Sequence, residues 1–82
     1  MGTWMGYIQG YRVRVVIDQS AWTMVYLDYP SEGFETGTYT YTGNTATFYK
    51  YGYAFGTATV SGNTLTGTNP GMTGTYTLTK QL

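Results

Sequence analysis

A twelve-residue segment, G-T-Y-T-Y-T-G-N-T-A-T-F at 37–48, returns as G-T-A-T-V-S-G-N-T-L-T-G at 56–67. Its first half returns again as G-T-Y-T-L-T-K at 74–80. Within each copy Thr alternates with an apolar or small residue. That period of two fits a strand with one buried face and excludes an amphipathic helix. Offsets of 19 and 18 residues suit two short strands with their turns, so each full copy reads as a hairpin. Gly43-Asn44 and Gly62-Asn63 form the tips, and Gly at the first central position suits a type II′ turn. This register sets Thr42 against Thr45, Tyr41 against Ala46, Tyr39 against Phe48, Val60 against Leu65 and Ala58 against Gly67. A slip of one residue would turn every Thr inward. The inner face is Tyr39, Tyr41, Ala46, Phe48, Ala58, Val60, Leu65, Tyr76 and Leu78. Between the hairpins, a three-residue loop at Tyr51-Gly52-Tyr53, with a bulge at Gly52 or its neighbour, keeps Phe48 opposite Gly56. Tyr49, Tyr51, Tyr53 and Phe55 then point outward or sit at the loop.

The first half of the chain adds strands over Thr3–Gln9, Tyr11–Ile17 and Trp22–Leu27. The turn at Asp18–Ala21 pairs Ile17 with Trp22, Val15 with Met24 and Val13 with Tyr26, all inward. A loop over Asp28–Gly33 leads to the strand around Gly37. Eight short strands joined by short antiparallel connections make a single all-β domain over 1–82. Its economical closure is an eight-stranded antiparallel up-and-down β-barrel, which leaves no open edge. Glycines at 6, 37, 56 and 67 permit the bends of closure. Trp4, Trp22, Tyr26, Tyr39, Tyr41 and Phe48 enter the lumen, enough rings to fill so small a barrel.

Chemistry is limited by what the chain lacks. With no Cys and no His there is no disulfide, no thiol nucleophile, no Cys-type zinc site and no imidazole base. Four basic and four acidic residues give no basic field for nucleic acid, so Arg12 and Arg14 among tyrosines are a poor nucleic-acid site. Asp18, Asp28, Glu32 and Glu35 match no calcium loop and predict no cleft between paired carboxylates; the last three read as a solvated acidic loop. Ser20, Ser31 and Ser61 have no base partner. The glycine-rich segments open strands rather than helices, so they cradle no phosphate. No enzyme activity, metal or cofactor is expected. No apolar run is long enough for a transmembrane helix. The opening MGTWMGY lacks the layout of a signal peptide, and localisation stays open. Short strands with Thr facing outward argue against a membrane barrel.

The opening G-T-W at 2–4 resembles the G-x-W start of lipocalins and related calycin barrels, and the Thr-rich hairpins resemble small bacterial lipocalin-like domains. The resemblance implies that Trp4 closes one end of the barrel and that Lys80, standing where lipocalins usually carry Arg, packs on it. It also implies a small apolar ligand in the lumen. The chain is about half the usual lipocalin length and has no flanking helix or long mouth loops.

The regular pattern breaks on one face. Of 17 Thr, 15 lie at or after Thr36. Outward positions of the first three strands instead read Met5 and Tyr7, then Arg12, Arg14 and Val16, then Thr23, Val25 and Leu27, with Phe34 continuing the set. On adjacent strands these form one surface, and a contiguous apolar patch marks an interaction site. Tyr, Met, Phe and Arg are enriched in interface cores. The expected site is therefore a protein-binding face of Met5, Tyr7, Arg12, Arg14, Val16, Val25, Leu27 and Phe34, extended by Tyr29, Tyr49, Tyr51 and Tyr53 at the mouth. The partner is a foreign protein or a second copy. An unseen bulge, or cover by the Asp28–Gly33 loop, would weaken the reading. A uniform frame with one varied face also resembles an engineered binding scaffold.

Overall fold

The computed structural model describes residues 2–69 and 74–81. Strands β1 (Gly2–Ile8), β2 (Tyr11–Ile17), β3 (Ala21–Tyr26), β4 (Phe34–Thr42), β5 (Thr45–Lys50), β6 (Tyr53–Ser61), β7 (Thr64–Thr68) and β8 (Tyr76–Gln81) follow one another around the molecule, with a single 3₁₀ turn at Pro30–Glu32. Each strand pairs antiparallel with the next, and β1 pairs with β8, so the sheet closes into a barrel.

Turn chemistry and the alternating pattern account for the register. Gly43 and Gly62 take φ of 63° and 59°, as the first residue of a type II′ turn requires. The five hairpin pairings expected from the repeat are all present. So are Ile17↔Trp22, Val15↔Met24 and Val13↔Tyr26. At the β2–β3 turn the Asp18 carboxylate accepts hydrogen bonds from the Ser20 and Ala21 backbone N–H at 2.9 and 2.8 Å. These bonds hold the carboxyl below its ordinary aspartate value.

The β5–β6 connection differs from expectation. Lys50 pairs with Tyr53, so the loop is the two-residue turn Tyr51-Gly52, with φ of 54° and 81°. Two positive φ values make a type I′ turn, here with a non-glycine residue first. Parity is restored further along: Tyr49 faces Ala54 and Phe48 faces Gly56, leaving Phe55 as the extra residue of a bulge. The bulge turns Phe55 inward, where it stacks on Trp22 at 5.9 Å between ring centroids.

The core is built around Trp4, Trp22, Phe48 and Tyr76 with Val13, Leu65 and Leu78. Of the six rings expected inside, Trp4, Trp22 and Phe48 are buried, Tyr26 and Tyr39 are half-buried, and Tyr41 is 52% exposed because it stands at the rim. Tyr76, expected on the inner face, is also buried, and burial pushes its phenol up to about 12. The cavity left among Ile8, Val15, Trp22, Met24, Phe48 and Leu78 measures about 30 Å³. Ligand pockets run from about 300 Å³ upward, so this part of the lumen is filled by side chains.

Gly37 shows how tightly the wall is built. Trp22 lies opposite it and donates its indole N–H across it to the Tyr49 carbonyl at 3.2 Å. A Cβ at position 37 would lie 2.8 Å from that nitrogen and well inside contact with the Tyr49 oxygen. Only glycine lets the indole pass.

Candidate functional site

Outward residues of β8, β1, β2, β3 and β4 line up in cross-strand rows. One row runs Thr79, Met5, Arg14, Val25 and Phe34. The next holds Thr77, Tyr7 and Arg12, with Leu27 beside them through its N–H bond to the Arg12 carbonyl at 2.9 Å. A third runs Gln81, Thr3, Val16, Thr23 and Thr36. Directly opposed residues share a face and strands lie about 4.8 Å apart, so the Met5-to-Phe34 row spans about 15 Å. Phe34 and Tyr7 are the most exposed large apolar side chains of the set, at 65% and 62%. Val16 is exposed, and Met5, Val25 and Leu27 are half-buried between their neighbours.

The two guanidinium groups differ. Arg12 pairs with Asp28 at 2.8 Å, and the carboxylate raises its pKa through the hydrogen bond and then through its charge. Arg14 has no ion-pair partner among the described residues, and its neighbours in the row are Met5 and Val25. An unpaired guanidinium ringed by apolar side chains is ready to take a carboxylate.

The remaining expected site residues lie elsewhere. Tyr49 is half-buried, opposite Thr38 and Ala54, while Tyr51 and Tyr53 at the β5–β6 tip are 88% and 78% exposed. Tyr29 belongs to a different group, with Tyr11 and Tyr26. Its ring meets Tyr11 at 5.8 Å, and Tyr11 meets Tyr26 at 5.8 Å, both edge to face. The acidic segment is also not uniformly solvated. Glu35 lies opposite Met24 on the inward side of β4 and forms a half-buried ion pair with Lys50. Lys50 lies 5.7 and 5.5 Å from the centroids of Tyr51 and Phe55, and Glu35 raises its pKa chiefly by hydrogen bonding. This pair sits at the same barrel end as Tyr26, whose phenol is raised first by burial and then by the charge of Glu35.

Trp4 is 3% exposed and lies opposite Lys80. Lys80 extends over Gly2, where a Cβ would meet its Cε at 2.8 Å, and the cation–ring contacts among the described residues belong to Lys50. Trp4 Nε1 is buried without a hydrogen-bond partner. Such a donor costs about 1–3 kcal/mol when left unsatisfied. Trp4 lines an open recess of about 340 Å³ at this end of the barrel, with Ile17, Tyr39, Tyr41, Val60 and Leu65.

No group of three or more acidic side chains that could hold a metal occurs among the described residues. No helix among them is long and apolar enough to cross a membrane. No protein-family model, curated protein or solved structure matches the chain. The architecture established by the structure is an eight-stranded antiparallel β-barrel. Sequence reading did not pick out Tyr11, Tyr26 and Glu32 as site residues; the spacing of Tyr26, Tyr29 and Glu32 was the available signal.

Proposed function

We propose that this barrel is a non-enzymatic protein-recognition module that binds through the outer face of β1–β3 and the start of β4. The observation that carries the reading is the row Met5, Arg14, Val25 and Phe34, with Tyr7 and Arg12 beside it, on a barrel whose other outward positions are mostly Thr. Arg and Tyr supply charge-assisted and rigid aromatic contacts, and the aliphatic neighbours exclude water around them. The partner this face fits carries a carboxylate within an apolar patch, because Arg14 has no acid of its own. Among the described residues the face holds no uncommitted carboxylate, which favours a foreign protein over a second copy. The G-T-W opening and the Thr-rich hairpins support a lipocalin-like origin, and the uniform frame beneath one varied face supports its use as a binding scaffold. Arg14→Ala and Tyr7→Ala should each weaken partner binding by about 2 kcal/mol and leave folding within about 0.5 kcal/mol. If Thr at 5, 7, 12, 14, 16, 25 and 27 left every association unchanged, in solution molar mass and in pull-down, the reading would be wrong.

A second reading has its own observation. The open recess beside Trp4, lined largely by aromatic and aliphatic side chains, supports binding of a small apolar molecule. On this reading the ligand lies at the barrel end rather than in the filled lumen. Tryptophan fluorescence titration tests it: saturable quenching lost in Val60→Trp supports the reading, and no saturation rejects it.

A further inference from the structure

The barrel end opposite Trp4 holds a second recess, of about 390 Å³, lined by Tyr11, Tyr26, Tyr29 and Glu32. Its shape follows from the backbone. Tyr29 N–H donates to the Tyr26 carbonyl at 3.3 Å, and Glu32 N–H donates to the Tyr29 carbonyl at 3.0 Å. Two successive turns of this kind put residues three apart on one side of the chain, as in a 3₁₀ helix. Tyr26, Tyr29 and Glu32 are thereby aligned, and Tyr11 meets them from the start of β2. The Tyr11 ring stands at 77° to Tyr26 and 69° to Tyr29. Three phenol rings, with Tyr11 steeply inclined to the other two, form an aromatic corner, and a carboxylate completes the lining.

Three of the four carboxylates are already engaged. Asp28 is paired with Arg12 and Glu35 with Lys50, while Asp18 caps its own turn at the far end. Glu32 has neither an ion pair nor a side-chain hydrogen bond among the described residues, and it is the carboxylate that lines the recess. Aromatic faces present negative potential, and a weakly hydrated cation gains most from leaving water to meet them.

The geometry points to a quaternary ammonium site: Tyr11, Tyr26 and Tyr29 receive a trimethylammonium head, and Glu32 balances its charge. The inference is independent of the β1–β3 face. A trimethylammonium group occurs on small molecules such as choline and on trimethyllysine, and both present the same head to the rings. An ordinary lysine ammonium is held more strongly by water and fits the site less well.

Choline, a trimethyllysine peptide, its unmethylated counterpart and 3,3-dimethylbutanol, the neutral isostere of choline, provide the test by calorimetry and by NMR shifts of the tyrosine rings. Choline or the trimethyllysine peptide should bind saturably at about millimolar concentration. The neutral isostere and the unmethylated peptide should bind at least about tenfold more weakly. Tighter binding of the peptide than of choline assigns the source to protein, and the reverse assigns it to a small molecule. Tyr29→Ala should lower affinity about tenfold and Glu32→Gln severalfold, with barrel tryptophan fluorescence unchanged. Tyr29 lies in a loop and Glu32→Gln is nearly isosteric, so at least one variant keeps the fold. Equal binding of choline and its neutral isostere, unchanged affinity in Glu32→Gln, or no saturation by either ammonium probe would overturn the assignment.

Discussion

Replacing Gly37 with Ala inserts one methyl group where the wall of the barrel has no room. The new Cβ would lie 2.8 Å from Trp22 Nε1 and 3.0 Å from Cε2, and overlap the Tyr49 carbonyl oxygen. The oxygen belongs to the β5 backbone, which is tied into ladders on both sides, so it moves only if a ladder moves. Two penalties combine. Overpacking a filled site costs about 1–3 kcal/mol. If the strands part to relieve it, the 3.2 Å bond from Trp22 to Tyr49 is lost, and a donor stranded in a largely buried place costs about 1–3 kcal/mol more. The sum is about 2–6 kcal/mol, which in a domain of this size lowers Tm by at least about 10 °C. Urea unfolding followed by tryptophan fluorescence should show a lower midpoint with an unchanged slope. The specific cause is separable by a double-mutant cycle. In a Trp22→Phe background there is no indole N–H to obstruct, and Gly37→Ala should cost at least about 1 kcal/mol less. A cost below about 1 kcal/mol, or the same cost in both backgrounds, would refute the reasoning.

Further outcomes follow from the core and the turns. Phe48→Ala should cost about 3–5 kcal/mol in the same urea assay, since Phe48 packs edge to face on Trp22 in the core. Tyr76 keeps its proton to about 12, against an ordinary value of 10.0, because burial opposes the phenolate. Its neutral form is favoured in the fold, so its contribution is complete below pH 10 and is lost as pH rises toward 12, by about 3 kcal/mol in all. Tyr76→Phe should flatten that alkaline loss, read from unfolding midpoints across the window. Asp18 has the opposite sign: its lowered pKa adds stability above the ordinary value of 3.8 that disappears as pH falls below it. Asp18→Ala should therefore destabilise the protein at neutral pH and narrow its difference from acid conditions in thermal melts.

The hairpins at 37–48 and 56–67 were legible because three signals agreed: Gly-Asn at the tip, alternation along each arm and small residues opposite large ones. Barrel closure followed from strand number and the need to remove edges. The β5–β6 turn was hidden because Tyr51 adopts φ of 54°, which a tyrosine rarely takes, and because the compensating bulge lies three residues beyond the turn, at Phe55. The ion pair of Glu35 with Lys50 was hidden for a related reason. Both fall on inward parity, but at the strand ends inward means the rim, where a charged pair stays partly solvated. The outer rows could be read by counting alternate residues. The recess of Tyr11, Tyr26, Tyr29 and Glu32 could not, because it depends on how the connection after β3 coils back on itself.

The seam between β1 and β8 brings the first and last strands together, with Thr3 beside Gln81, while the other ladders join strands consecutive in sequence. Those local ladders can form as their hairpins collapse, but the seam must wait for a loop as long as the chain to close. Until then the protein is a curled sheet with two bare edges, and the β1 edge of one molecule can be satisfied by the β8 edge of another. Refolding at high concentration should therefore yield strand-exchanged dimers in competition with monomers. The pairing of β1 with β8 has a second consequence: a barrel joined by a short linker across that seam and opened at Tyr51-Gly52 would turn the slowest pairing into a local one.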